Sequence, residues 1–196
     1  MVGLTPEAPC GKKSGDTIMD RENNSPRRYT SFKTDSGWVG MLVSPAGIVR
    51  LTLPQATEKE ALSELEPGQD AVRMRFERFY EAVSRIRDYF RGKPVDFGDQ
   101  LDLSSGTEFQ RKVWSSCRGI PYGQTCSYGW IAGQIGQPGA SRAVGNALGK
   151  NPIPIIIPCH RVLAADGGIG GFSGGLSVKR RLLDLEGVKV RGSPQR

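Results

Sequence analysis

Two β-like runs, Trp38 to Val43 and Ile48 to Leu53, flank Ser44-Pro45-Ala46-Gly47, a composition that predicts a hairpin turn between two strands. Farther along, Val72, Phe76, Phe79, Tyr80, Val83, Ile86 and Phe90 recur at helical spacing, while Arg73, Arg75, Arg78, Arg85 and Arg87 fall mostly off that stripe. The spacing predicts an amphipathic helix over Val72 to Phe90, ended by Gly92-Lys93-Pro94. Val95 to Leu103 follows as a short extended linker. Ahead of the first run, residues 1–30 read as a polar, irregular tail, with Gly11-Lys12-Lys13-Ser14-Gly15-Asp16 and Arg21-Glu22-Asn23-Asn24-Ser25-Pro26.

Beyond the linker the pattern changes to short helices. Thr107 with Gln110 makes a capping box ahead of a face formed by Phe109, Val113, Trp114 and Cys117, and Gly119 ends that helix. After the Pro121-Tyr122-Gly123 turn, Ser127 is placed to cap a second helix, Tyr128 to Ile135, stopped by Gly136. A third is expected to begin near Pro138 and to run to about Leu148. Two short helices joined by a glycine-containing turn form a helix-turn-helix candidate. Ser141 to Gly149 is almost entirely small residues with one long cation, Arg142. Such a face suits tight packing on a neighbouring helix or close approach to a duplex. The fold class is therefore α+β: a small N-terminal sheet-plus-helix domain with its linker (residues 31–103), then a mostly helical domain containing a helix-turn-helix (residues 104–196).

Charge sharpens this division. Of the net +7, residues 104–196 carry 12 Lys and Arg against 4 Asp and Glu, a balance of +8, and residues 1–103 carry −1. The basic excess belongs to the second half, where it fits either a polyanion partner, nucleic acid first, or a solvated basic surface. No apolar run approaches the roughly 18 residues of a membrane span, and Met1 to Asp20 lacks the apolar core of a secretory signal. Cys10, Cys117, Cys126 and Cys159 lie far apart without a CxxC pair, which fits reduced thiols in a cytoplasm better than a disulfide framework. With His160 the only histidine, a mixed Cys/His zinc site lacks ligands.

The candidate chemistry lies in Asn151-Pro152-Ile153-Pro154-Ile155-Ile156-Ile157-Pro158-Cys159-His160-Arg161. Its three prolines restrict the backbone and remove ladder donors, so it reads as a stiff, buried connection and not a central strand. It presents a thiol next to the only imidazole. A thiol near pH 7 is only partly ionised and needs a base or positive charge to become a nucleophile. On residue type alone, Cys159 is either such a nucleophile or an inert core thiol.

Pro158-Cys159-His160-Arg161-Val162, preceded by Asn151-Pro152-Ile153-Pro154, resembles the active-site signature of the O6-alkylguanine-DNA alkyltransferases. Ser141-Arg142-Ala143-Val144-Gly145 is similar to that family's recognition helix, and Ser127-Tyr128 to the start of the helix before it. Gly170-Gly171-Phe172-Ser173-Gly174-Gly175 resembles the loop over its base pocket, and Leu182-Leu183-Asp184-Leu185-Glu186-Gly187 its closing helix. The resemblance is strong from Phe109 to Val188 and loose over the first half.

The resemblance implies DNA repair by direct, stoichiometric and irreversible transfer of the alkyl group from O6-methylguanine to Cys159, with O4-methylthymine a further candidate substrate. It implies a monomer that binds double-stranded DNA in the minor groove through the helix carrying Arg142, Ala143 and Gly145, and no cofactor, metal or membrane partner. The alkylated nucleotide would be flipped out and Arg142 would fill the vacated stack. Ser173 would hydrogen-bond O6, Phe172 and Pro154 would pack on the base, and backbone around Cys159 and Val162 would read its edge. Asn151 would tie the recognition helix to the active-site segment. His160, oriented by Glu186, would take the thiol proton through a water, and Tyr128 would protonate the departing base. Position 172 is Phe where some members have Tyr, so a hydroxyl contact there is lost. A cytoplasmic location is expected, or a nuclear one in a eukaryotic source.

Three other readings remain open. A lesion-binding module would mark alkylguanine without repairing it, but such relatives lack the acceptor thiol. A cysteine hydrolase using Cys159, His160 and Glu186 would need an oxyanion element, and no glycine-rich one adjoins Cys159. A DNA-binding regulator would bind one sequence selectively and survive loss of Cys159.

Overall fold

The two β-like runs pair as expected, in a computed structural model that describes residues 26–190 apart from the side chains of Phe76 and Arg78. Strands β2 (Gly37–Ser44) and β3 (Gly47–Leu51) form the hairpin, with a register shift at Leu42/Val43. A strand not foreseen, β1 (Arg28–Thr34), pairs antiparallel with β2. The polar tail expected over residues 1–30 therefore ends by Arg27, and residues 1–25, with Cys10, lie outside the described residues. Alternation along β2 sends Val39 and Met41 to one face and Gly40 and Leu42 to the other. Helix α1 (Glu58–Leu65) covers the second face, where Leu42 and Val49 pack with Leu65. Gly40 permits the approach, since a Cβ there would sit 3.0 Å from the Ala61 carbonyl. This helix was not foreseen either, although Thr57 and Glu60 form a complete capping box.

The helix expected over Val72 to Phe90 is shorter. Val72–Arg73 form β4, parallel to β1, with Val72 N–H donating to Arg27 O and Met74 N–H to Tyr29 O. A 3-10 turn follows at Phe76–Phe79, and helix α2 occupies only Tyr80–Phe90. The edge of β1 offered these backbone groups partners that apolar spacing cannot reveal. α2 buries Val83, Ile86, Tyr89 and Phe90 against the sheet and the second half.

In the second half, α3 (Glu108–Arg118) carries the expected Thr107/Gln110 capping box and buries Val113, Trp114 and Cys117. α4 (Tyr128–Gln134) is capped by Ser127, whose hydroxyl accepts from Trp130 N–H. α5 starts at Ser141, not near Pro138, and runs to Gly149. Gly139, at φ +94°, holds Pro138-Gly139 in a turn ahead of it. Trp114 Nε1 donates to Ala147 O, fastening α3 to α5. The two-residue parallel pair β5 (Cys126–Ser127) and β6 (Val162–Leu163) joins the cap of α4 to the segment after Cys159. α6 (Leu176–Leu185) closes this half.

One apolar cluster runs through both halves, from Phe32, Met41 and Ile86 to Trp114, Val144 and Ile157. Leu51 N–H bonds to Pro152 O, so β3 also holds the proline-rich segment directly. The architecture is α+β, as expected. No helix among the described residues is long and apolar enough to cross a membrane.

Candidate functional site

Residues 150–158 form no regular element, yet Ile153, Ile155, Ile156 and Ile157 are all buried. Asn151 stands in for the missing ladder. Its Oδ1 accepts from Ile153 N–H at 3.0 Å, and its Nδ2 donates to Ile157 O at 2.8 Å and to Cys159 Sγ at 3.1 Å. Asn151 N–H in turn bonds to Leu148 O at the end of α5, joining the small-residue helix to the thiol. Cys159 opens a 3-10 turn, Cys159–Arg161, and is only 6% exposed.

That small exposure faces a cavity of about 560 Å³ bounded by α4, α5 and the loop before α6. Tyr128, Arg142, Gly145, Cys159, Phe172 and Ser173 all contribute to its wall. Tyr128 OH donates to Gly171 O at 3.2 Å, and Gly170, at φ +66°, lets the loop pass close to the phenol. Arg142 is exposed at the rim. Three expected contact residues are not brought into the lining: Pro154 is half-buried, Val162 is fully buried behind Cys159, and Ala143 is exposed on α5.

Behind the thiol lies a buried polar cluster. His160 Nε2 is 2.7 Å from Glu186 Oε1 and 3.2 Å from Tyr89 OH, and Tyr89 OH donates to the same Glu186 Oε1 at 2.8 Å. Arg161 Nε donates to Glu186 Oε2 at 2.9 Å and its Nη2 to Oε1 at 3.0 Å, while Gly123 N–H donates to Oε2. Burial alone would push the Glu186 carboxyl up, but the bonds and charges of His160 and Arg161 hold it at about 2. Burial pushes His160 below its ordinary value against the pull of Glu186, so at neutral pH the imidazole is neutral beside a carboxylate. Its Nδ1 is buried and has no hydrogen-bond partner among the described residues.

Burial raises the Cys159 thiol above its ordinary value, opposed by the Asn151 amide and the charge of Lys179. Lys179, a fully buried lysine on α6, donates from Nζ to Val162 O at 2.6 Å and to Gly171 O at 3.1 Å, and burial brings it down to about 8. Cys117 and Cys126 are free thiols like Cys159, and burial pushes both up, Cys126 to about 11. Neither is set up to ionise.

Two groups escaped the sequence reading. Lys179 left a signal, a cation within the apolar stripe of Leu176, Leu182 and Leu183. Tyr89 left none, because only tertiary packing brings α2 to a histidine 71 residues away.

Residues 108–188 match the family model for the DNA-binding domain of 6-O-methylguanine DNA methyltransferase. The methylated-DNA–protein-cysteine methyltransferase of Mycobacterium leprae is 56% identical over 112 residues, 57% of this chain and 67% of that protein. The protein of the same name from Mycobacterium bovis is 55% identical over 55% of this chain and 65% of its own length, slightly under two thirds. The crystal structure of Mycobacterium tuberculosis OGT in complex with DNA superposes with a TM-score of 0.67 at 40% identity, covering 81% of this chain and 92% of that one. The O6-methylguanine-DNA methyltransferase of Pyrococcus kodakaraensis superposes with a TM-score of 0.59 at 26% identity, covering 83% and 99%.

Proposed function

The chain belongs to the O6-methylguanine-DNA methyltransferase family, and from that membership we propose that it repairs DNA by moving the alkyl group of O6-alkylated guanine onto its own Cys159, once and irreversibly. The observation that carries this reading is a nearly buried thiol, hydrogen-bonded by Asn151, at the wall of a base-sized cavity beside a helix of small residues.

A guanine inside a duplex cannot reach Cys159. Its nucleotide must leave the stack, at a cost of a few kcal/mol. α5 enters the minor groove, about 6 Å wide, because its small side chains keep the helix thin on that side. Arg142, exposed at the rim, occupies the gap left in the stack. Phe172 and Ser173 meet the flipped base from the loop, Ser173 by a hydrogen bond to O6. Val162 acts through its carbonyl, held by Lys179, and Pro154 through the stiffness it gives the segment. In this reading residues 104–196 are the DNA-binding and active-site domain, and residues 31–103 the domain that buttresses it. The protein works as a cytoplasmic monomer without a metal or cofactor.

The Cys159 proton passes through a water to His160 Nδ1, and Glu186 stabilises the resulting imidazolium. The Asn151 amide and the Lys179 ammonium stabilise the thiolate. Sγ attacks the alkyl carbon, the bond from carbon to O6 breaks, and its electron pair passes to guanine. Burial keeps Tyr128 protonated, and it supplies the proton that the departing base takes up. The thioether left on Cys159 has no group among the described residues positioned to cleave it, so the reaction ends there.

Cys159→Ser tests the reading. It should bind duplex DNA containing O6-methylguanine about as tightly as wild type and take up no methyl group, measured by filter binding and transfer of labelled methyl. Transfer surviving in this variant would contradict it.

A further inference from the structure

The first half of the chain contributes one side chain to the polar cluster behind the thiol, and we propose that this residue, Tyr89, is a positioning residue for the methyl transfer. The inference rests on the proton relay through His160 described above and adds a second acceptor that, with Glu186, fixes its tautomer.

A phenol has one proton, and Tyr89 donates it to Glu186 Oε1 at 2.8 Å. The phenol oxygen, with its proton committed, then faces His160 Nε2 at 3.2 Å as an acceptor. Glu186 Oε1, 2.7 Å from Nε2, is also an acceptor because the carboxyl is ionised. Nε2 thus faces two acceptors and no donor, so the neutral imidazole carries its proton there. Nδ1 is left bare, and Nδ1 is the ring nitrogen without a partner among the described residues. A bare Nδ1 is what the relay requires.

The packing holds this arrangement rigid. Tyr89 is fully buried, with its ring edge-on to Phe90 and Tyr122 and tilted against Phe97. Those contacts come from α2, the linker after it and the Pro121-Tyr122-Gly123 turn, so the hydroxyl is set by both halves. The charged and titratable groups facing His160 are Glu186 and Lys179 of the closing segment, Arg161 of its own turn and Tyr89. The charged group acting on Cys159 is Lys179, and the Cys159 thiol in turn faces that of Cys117 on α3. Within this set Tyr89 is the neutral partner whose removal leaves every charge in place.

Tyr89→Phe keeps the ring and deletes the hydroxyl. Single-turnover methyl transfer to the full-length chain should slow about tenfold at neutral pH, the scale of losing a group that orients a catalytic histidine. The deficit should shrink as pH rises and the thiol ionises unaided, while affinity for duplex DNA stays unchanged. Tyr122→Phe is the control for a purely structural role. It loses bonds to Gly92 O and Leu185 O at the same junction of the two halves, and should lower thermal stability without moving the pH profile. A Tyr89→Phe rate equal to wild type at every pH, with only stability reduced, would overturn the inference. His160→Gln separates it from the reading beneath: if that variant transfers methyl at the wild-type rate, the relay falls and Tyr89 with it. Because His160 is the only histidine, the imidazole nitrogen-15 spectrum of wild type adds a test that needs no variant to fold. It should report a proton on Nε2, and a proton on Nδ1 would overturn the inference.

Discussion

Glu186 is the carboxylate on which His160, Arg161, Tyr89 and the Gly123 N–H all converge. Its two functions, orienting an imidazole and neutralising a buried guanidinium, are inseparable at the level of one residue. Glu186→Gln should therefore do more than slow transfer. It leaves Arg161 uncompensated in the interior and should cost about 3–5 kcal/mol of stability, read from urea unfolding at neutral pH. The pH dependence follows with the same sign for both partners. Glu186 is held at about 2 in the fold against an ordinary 4.5, so its contribution is complete above 4.5 and is lost as pH falls toward 2. His160 is also depressed, so acid begins to destabilise the fold below its ordinary 6.5. Wild-type stability should accordingly fall as pH drops from 7 to 5, and a flat profile there would contradict a neutral buried His160. At this scale the sequence was legible where chemistry is local: Cys159, His160 and Asn151 lie within one short segment. Lys179 and Tyr89 belong to apolar stripes, where a residue's polar end is visible only after the helices have packed.

Helix ends with side-chain caps were readable, and ends set by tertiary partners were not. Thr107 and Ser127 cap α3 and α4 as their sequences indicate, because a hydroxyl satisfying an N–H two or three residues on is a local interaction. α5 has no side-chain cap and begins after a glycine turn, so Pro138 misplaced its start. α1 was legible in principle from Thr57 and Glu60. β1, with Thr30, Ser31 and Thr34 among its buried residues, lacks the apolar run that marks a strand, and its pairing with β2 supplies what its side chains do not. α5 also carries the prediction proper to an element. Under the proposed function Arg142, exposed at the cavity rim, holds the flipped state and does not assist bond breaking. Arg142→Ala should slow repair of duplex DNA by up to about a hundredfold, the weight of the few kcal/mol that unstacking costs. Its reaction with free O6-methylguanine base should stay close to wild type. Equal losses on the two substrates would remove Arg142 from that role.

At the scale of the whole molecule, the basic excess belongs to the half that builds the cavity, with Arg142 the cation in its wall, and the near-neutral first half supplies sheet, α1 and α2. The uneven charge was visible in the sequence; the continuity of the core across residue 103 was not, because it depends on long-range contacts such as β3 with Pro152. That continuity places a phenol from one half against a histidine of the other. Burial raises all three of the described thiols, and Cys159 is the one where an amide hydrogen bond, from Asn151, opposes the rise. Intact mass spectrometry of the full chain, titrated with an excess of duplex DNA containing O6-methylguanine, tests this most directly. The account predicts a plateau at one added methyl group per protein molecule, carried on the peptide containing Cys159, with no further product however long the incubation. Methyl groups removed beyond one per protein, or a modification mapped to Cys117 or Cys126, would contradict it.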